Sequence, residues 1–129
     1  MSERRIPVFF YGLFMDAELL RAKGIDPQNA RRASLPRFAL RIGKRATLVP
    51  DANARAHGIA MDLTHTDIDK LYAEPSVSMY RAEPVLLETE SGPVAALCFV
   101  LPEPPQPHER NDEYAAKLRA LSLRLGLPV

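Results

Sequence analysis

The sequence has few of the residues on which disulfide, redox and metal chemistry depend. It contains one cysteine, Cys98, and no tryptophan among 129 residues. A single cysteine cannot form an intramolecular disulfide, and Cys98 stands in the apolar run VAALCFVLP, which favours a core position. His57, His65 and His108 have neither helical spacing to one another nor a nearby cysteine partner. The sequence therefore predicts no metal site.

No sign of charge dominates, and no long hydrophobic run is present. The net charge is only +1 at pH 7, and aromatic content is 7%, so nothing predicts a nucleic-acid partner. No apolar stretch approaches the roughly 20 residues of a membrane span, and the N-terminal segment is too short and interrupted for a signal peptide. We expect one domain, residues 1–129, in a reducing, cytoplasmic setting.

Motifs for nucleophilic and phosphate chemistry are missing, since the chain has no G-x-S-x-G elbow, phosphate loop or dinucleotide fingerprint. What is present is VFFYGLFMDAELL, in which Val8–Phe10 predicts a buried strand and Asp16 a cap for a helix over residues 17–23. A glycine loop that leads into a helix gathers free N–H groups suited to an anion. Gly12 alternatively serves only to turn the chain.

The middle of the chain alternates strand and helix patterns. SLPRFALRIGKRATLVP and HGIAMDL predict strands separated by a polar turn, PDANAR. Thr66 is expected to cap a helix that ends near Pro75. EPVLLETE and PVAALCFVLP, separated by Ser91 and Gly92, predict a hairpin.

The C-terminal part predicts a connector followed by a helix. PEPPQPHER, residues 102–110, is proline-rich and should be extended on the surface. Asn111 is a plausible cap for a helix that stops at Gly126. The complete order of elements predicts an α+β domain around a strongly curved sheet.

Glu74 is the carboxylate best placed for acid–base chemistry. It stands in LYAEP, at the end of the second predicted helix, where Pro75 prevents the helix from continuing. The negative end of a helix dipole disfavours an ionised carboxylate, which is the tuning that a general acid/base needs. The alternative is an ordinary, solvated glutamate.

Four segments together resemble the γ-glutamylcyclotransferase-like superfamily. They are VFFYGLFM, LVPDANARAHGIAMDL, LYAEPSVSMYR and EYAAKLRALSLRLGLP, and their order and spacing cover essentially the whole chain. The resemblance implies a small mixed, largely antiparallel β-barrel with flanking helices and one cavity. It also implies cyclisation of a small-molecule γ-glutamyl substrate to 5-oxoproline with release of an amine, without a cofactor, metal, membrane or nucleic acid. It implies no oligomeric state.

The resemblance assigns a role to particular residues. Glu74 would be the catalytic acid/base, and a loop with the usual pattern Y-G-[ST]-[NL] would bind the substrate carboxylate through its N–H groups. The substrate-binding residues would be Tyr11, Gly12, Leu13, Phe14, Met15 and Tyr80.

Two departures from the family pattern leave alternatives open. Leu13 and Phe14 replace the usual small polar pair, which removes side-chain hydrogen bonds but keeps the backbone donors. The acid of the family is normally the glutamate in a pattern like LDxLEG, where glycine follows it. A strict register from IDKL places Tyr72 at that position, with Glu74 two residues beyond. If Tyr72 is the equivalent, the protein would be a non-catalytic binding domain. An enzyme of the same fold acting on another amide is the third possibility.

Overall fold

The computed structural model describes residues 4–128, which form five strands and three helices. The strands are β1 (Arg5–Phe10), β2 (Gln28–Ile42), β3 (Ala46–Thr64), β4 (Arg81–Thr89) and β5 (Gly92–Val100). The helices are α1 (Ala17–Ala22), α2 (His65–Tyr72) and α3 (Asp112–Arg124). None of the helices within these residues combines the length and the apolar character that spanning a membrane requires.

The five strands close into a barrel in the order β1-β3-β2-β4-β5. Every neighbouring pair is antiparallel except β1 and β5, which pair in parallel at Val8 with Leu97 and at Phe9 with Cys98. This closing pair leaves neither of the two strands as a free edge. The expected small, mixed and largely antiparallel barrel with flanking helices is confirmed.

Strand β1 is buried on both of its faces. Val8 and Phe10 pack in one apolar cluster with residues of the three helices, whereas Phe9 and Tyr11 belong to a second cluster formed by strand residues. Successive side chains of a strand point to opposite faces, so the first cluster lies under the helices and the second fills the barrel. The short run VFF therefore occupies the middle of the protein, and the loop that follows it emerges between the two clusters.

Side-chain caps begin all three helices, two of them at the predicted residue. Asp16 accepts a hydrogen bond from the N–H of Glu18, and Asn111 accepts one from the N–H of Tyr114. For α2 the predicted cap was wrong. The cap is Thr64 rather than Thr66, and its hydroxyl accepts a hydrogen bond from the N–H of Asp67. The last strand residue of β3 is thereby also the cap of α2, because its extended conformation suits both roles.

The predicted turn at PDANAR does not end a strand, because β3 runs through it. The actual reversal between β2 and β3 lies at residues 43–45, where the N–H of Gly43 donates to the carbonyl of Arg45. Local turn chemistry persists within β3, since Asp51 accepts a hydrogen bond from the N–H of Asn53 at a shift in register. Pairing with β2 on both sides of this bulge overrides the local preference to turn.

Candidate active site

One cavity of about 360 Å³ opens beside the barrel, between the end of β1, the turn between β2 and β3, and the segment after α2. Of the seven residues that the sequence singled out, all except Met15 border it. The six that border the cavity are Tyr11, Gly12, Leu13, Phe14, Glu74 and Tyr80. The glycine loop and the glutamate, separated by about sixty residues of sequence, thus face the same space.

The glycine loop, residues 11–15, is a tight 3₁₀ turn with several of its donors already used. The N–H of Met15 donates to the carbonyl of Gly12 at 3.0 Å, and the N–H of Leu13 donates to the hydroxyl of Tyr114 at 3.3 Å. The Met15 side chain is 2% exposed and packs in the core under the helices. Met15 therefore stabilises the loop from behind, and within residues 12–15 only the N–H groups of Gly12 and Phe14 donate neither to this turn nor to Tyr114.

Gly12 is a glycine because the Tyr114 hydroxyl lies against it. Its φ of −112° is not left-handed, so the backbone conformation alone does not require glycine. A Cβ atom built on Gly12 would overlap the Tyr114 hydroxyl oxygen. The sequence analysis expected an anion at the N–H groups of this loop; in this structure a tyrosine hydroxyl from α3 lies against Gly12.

Glu74 stands just past the C-terminal end of α2, in the segment from residue 73 to residue 80 that we call the glutamate segment. Its side chain is 34% exposed, and its two carboxylate oxygens accept hydrogen bonds from Lys23 Nζ at 2.8 and 3.1 Å. Lys23 is the C-terminal cap of α1 and also lies 5.9 Å from the centre of the Phe14 ring. The sequence argument had assigned no cation to Glu74; the ammonium now offsets the unfavourable helix terminus.

Aromatic rings form the inner wall of the cavity. Tyr72 stacks on Phe99 with ring centres 3.8 Å apart and planes 13° from parallel. The centre of its ring also lies 6.2 Å from that of Phe14 and 6.5 Å from that of Tyr80. Burial raises the pKa of Tyr72 well above its usual value, so its hydroxyl stays neutral. The sequence left Tyr72 and Glu74 as the two candidates for the position of the family's catalytic acid. Tyr72 is part of the aromatic wall, and Glu74 supplies a carboxylate at the cavity.

Tyr80 joins the aromatic wall to the turn between β2 and β3. Its hydroxyl donates to the carbonyl oxygen of Ala46. Burial, together with the nearby Tyr114, raises the pKa of Tyr80 to about 12, and the positive charge of Arg45 partly opposes this rise. Tyr80 borders the cavity as the resemblance implied, with its hydroxyl held by the protein.

Two further cations at the cavity were missed by the sequence analysis. Lys44 and Arg45 occupy the turn between β2 and β3, and both border the cavity. Arg45 Nε donates to the carbonyl oxygen of Ser76 at 2.9 Å, which ties this turn to the glutamate segment. In the sequence both residues stood inside SLPRFALRIGKRATLVP, a stretch expected to form a strand, so no local signal marked a turn there.

Other chemistries have little support in the described residues. Within residues 4–128 no group of three or more histidine, cysteine, aspartate or glutamate side chains is placed to hold a metal ion. The Cys98 side chain is buried, and burial raises the pKa of its thiol to about 12. At neutral pH this thiol is not ionised and is not a nucleophile.

Comparisons with known proteins identify the family and the fold of the chain. The family model described as gamma-glutamyl cyclotransferase, AIG2-like, matches residues 8–117. No curated protein matches the chain. Among solved structures, a protein of Arabidopsis thaliana is 21% identical, with a TM-score of 0.71 over 98% of this chain and 90% of its own.

Two further solved structures are similar at the same level. A protein named gamma-glutamyl cyclotransferase is 18% identical, with a TM-score of 0.75 over 97% of this chain and 82% of its own. An uncharacterized protein from Homo sapiens is 19% identical, with a TM-score of 0.75 over 98% of this chain and 83% of its own. At these identities the likeness shows the fold, and the shared barrel is the fold described above.

Proposed function

The chain belongs to the gamma-glutamyl cyclotransferase, AIG2-like family, and on that premise we propose that it cyclises a γ-glutamyl amide or peptide, releasing 5-oxoproline and an amine. Glu74 is the general acid/base of this reaction. The observation that supports the proposal most directly is that Glu74 and the glycine loop border one cavity. A base and an anion-binding backbone in the same cavity are the two elements that this reaction requires.

Substrate binding begins at the glycine loop. The α-carboxylate of the γ-glutamyl group accepts hydrogen bonds from the N–H groups of Gly12 and Phe14, which the 3₁₀ turn does not use. The Tyr114 hydroxyl donates a further hydrogen bond to this carboxylate. Its oxygen accepts from the N–H of Leu13, so its O–H is available as a donor. Leu13 and Phe14 contribute backbone rather than side-chain hydrogen bonds, so their departure from the family pattern leaves this role intact.

Glu74 then transfers protons within the bound substrate. It takes a proton from the α-ammonium group, and the neutral amine attacks the γ-carbonyl carbon to form the new C–N bond. The tetrahedral intermediate collapses as the original amide C–N bond breaks, and Glu74 returns the proton to the departing nitrogen. The attacking nitrogen keeps one of its two remaining protons in the ring amide, and the other passes through Glu74 to the released amine, which leaves as an ammonium ion. Holding amine and carbonyl in register accounts for much of the acceleration, because the reaction is intramolecular.

Lys23 orients the Glu74 carboxylate before the substrate enters. It donates to both carboxylate oxygens, and a charge-assisted pair of this kind fixes the rotation of the carboxylate better than one neutral hydrogen bond. When the substrate ammonium reaches Glu74, one oxygen exchanges Lys23 for the substrate, and the other stays paired. Lys23 is accordingly a positioning residue.

The same ion pair favours a second candidate function, a non-catalytic small-molecule binding domain of the same fold. A carboxylate that is bound at both oxygens by an ammonium has the geometry of a structural ion pair. In this alternative Glu74 only ties α1 to the glutamate segment, and the cavity binds a γ-glutamyl compound without changing it.

The test compares 5-oxoproline release from a panel of γ-glutamyl dipeptides and γ-glutamyl amines by the wild type and by Glu74→Gln. Glutamine keeps the size and a hydrogen bond but cannot exchange the proton, so turnover should fall on the order of a hundredfold or more while binding persists. Glu90→Gln is the matched control, since Glu90 is 86% exposed at the tip of the β4–β5 hairpin. Full activity in Glu74→Gln would refute the general-base role, and binding without turnover in the wild type would favour the binding domain.

A further inference from the structure

We propose that Lys44 and Arg45 form an anion subsite at the cavity for the leaving half of the substrate. The preferred substrate would then be a γ-glutamyl amino acid, whose departing amine carries a carboxylate, rather than a γ-glutamyl amine without one. This inference rests on the proposed function. We call the pair of residues the cationic turn.

The cationic turn is held firmly by the rest of the protein. Gly43, next to it, is buried against the connector after β5, and a Cβ there would overlap Pro105 and crowd Glu109. Asn111 Nδ2 donates to the carbonyl oxygen of Lys44 at 3.3 Å. The backbone of the turn is therefore fixed by residues that do not border the cavity, which lowers the entropic cost of presenting two side chains to a ligand.

Neither side chain of the cationic turn has an acidic partner within residues 4–128. Arg45 uses only Nε, which donates to the Ser76 carbonyl. Its two terminal nitrogens keep the planar arrangement that suits a carboxylate. The protein thus presents two cations beside a cavity without neutralising them.

The charge of the cavity matches an anionic ligand. Glu74 is the single acidic residue on its lining, and Lys23 already compensates it. Two positive charges remain, those of Lys44 and Arg45. A γ-glutamyl amino acid has two carboxylates and one ammonium, whereas a γ-glutamyl amine has one of each, so only the former brings a net negative charge to this surplus.

The position of Arg45 assigns the cationic turn to the leaving half. Arg45 is bonded to Ser76, two residues after Glu74, and Glu74 is the group that protonates the departing nitrogen. A substituent on the departing nitrogen therefore lies beside the part of the glutamate segment that Arg45 contacts. The α-carboxylate of the γ-glutamyl half belongs to the glycine loop, so the two carboxylates have separate sites.

The experiment measures kcat/KM for γ-glutamylglycine and for γ-glutamylglycinamide, which differ only in the charge of the terminal group. For the wild type we expect about a tenfold preference for the carboxylate, the size of one charge-assisted hydrogen bond. In Arg45→Gln with Lys44→Gln the preference should fall to about one. Arg45→Lys keeps the charge but not the planar pair of donors, so part of the preference should remain. A preference of about one in Arg45→Lys as well would trace the effect to the lost Ser76 contact rather than to charge.

Arg41→Gln is the matched control, because Arg41 lies on the same hairpin, is exposed and does not border the cavity. It should keep the wild-type ratio. An equal ratio in wild type and double variant would overturn the cationic turn while leaving the cyclisation intact. If neither compound releases 5-oxoproline, the proposed reaction fails. The preference is then measured by calorimetry as the ratio of the two binding affinities. A preference in the wild type that is lost in the double variant would support the subsite, and equal affinities for the two compounds would overturn it.

Discussion

The glycine loop and the glutamate segment meet across one cavity, but different forces position them. Neutral contacts fix the loop: a 3₁₀ hydrogen bond, the buried Met15 side chain and the Tyr114 hydroxyl. Charged groups fix the glutamate segment, through Lys23 on Glu74 and Arg45 on the Ser76 carbonyl. The loop should therefore tolerate salt and fail when its packing changes, whereas the glutamate segment should tolerate changes of volume and respond to changes of charge.

This difference fits the chemistry proposed for each side. A backbone anion site works only if its N–H groups keep their directions, and packing provides that rigidity. A general acid/base must exchange partners during the reaction, and an ion pair whose side chains are about one third exposed is weak enough to open. The two sides of the cavity combine a rigid binding element with an exchangeable one.

Among the variants that test this contrast, the largest effect should come from Gly12→Ala, which disturbs the packing of the loop. The new Cβ overlaps the Tyr114 hydroxyl, so one of the two must move. We expect a loss of stability of about 1–3 kcal/mol, as for other overpacked sites. We also expect roughly a hundredfold loss of turnover, because displaced N–H groups no longer align the substrate.

The double variant Gly12→Ala with Tyr114→Phe isolates the cause. Phenylalanine removes the oxygen that the Cβ would meet, while the ring carbon that bore it stays at an ordinary 3.7 Å. Most of the stability should return, as measured by urea unfolding, although the hydrogen bond to Leu13 is lost. Equal stability of the single and double variants would show that the hydroxyl is not what requires a glycine.

A smaller effect is expected from Lys23→Gln, which removes the positive charge that pairs with Glu74 on the other side of the cavity. Removing the ammonium leaves Glu74 free to rotate, and turnover should fall about tenfold. Both side chains are about one third exposed, so the free energy of unfolding should change by no more than about 1 kcal/mol.

Rescue by charge separates positioning from simple packing. Lys23→Arg should recover most of the turnover, whereas Lys23→Met, which keeps the aliphatic length, should not. Turnover that follows side-chain size instead of charge would contradict the contrast between the two sides.

The smallest effect concerns pH, and it tests a property that both sides share. All four tyrosines border the cavity, and burial raises the pKa of Tyr11, Tyr72, Tyr80 and Tyr114. Above pH 10 the unfolded chain loses phenolic protons that the folded chain keeps, so stability should decline as pH rises through this region. Tyrosinate absorbance should stay low in the folded protein near pH 10 and appear on unfolding. A full absorbance change at pH 10 with native circular dichroism would contradict these shifts.

Prediction from the sequence succeeded where neighbouring residues make the decision. The caps at Asp16 and Asn111 and the hairpin around Ser91 and Gly92 depend on side-chain and turn chemistry within a few residues. It failed at PDANAR, because this polar segment has every local feature of a turn, and only its pairing with β2 keeps it in a strand. The same pairing moved the reversal to residues 43–45, and with it the cationic turn.

The candidate site shows the same limit. Tyr11, Gly12, Glu74 and Tyr80 could be selected from the sequence because each stands at a recognisable junction or in a family-like motif. Lys23 could not, since a lysine at the end of a short helix resembles any solvated lysine. Its carboxylate partner is 51 residues away, and no local pattern connects them.

By itself the sequence determined the family resemblance, most of the helices and strands, and the helix caps at Asp16 and Asn111, because hydrogen bonds within a turn or a cap depend on local composition. The tertiary structure alone decided which side chains meet. The Tyr114 hydroxyl reaches the N–H of Leu13 across 101 residues, and Arg45 reaches the Ser76 carbonyl across 31, because closing the barrel brings their elements together. Such partners are selected by strand order and register, which are collective properties of the sheet, and the charge and shape of the cavity follow from that selection.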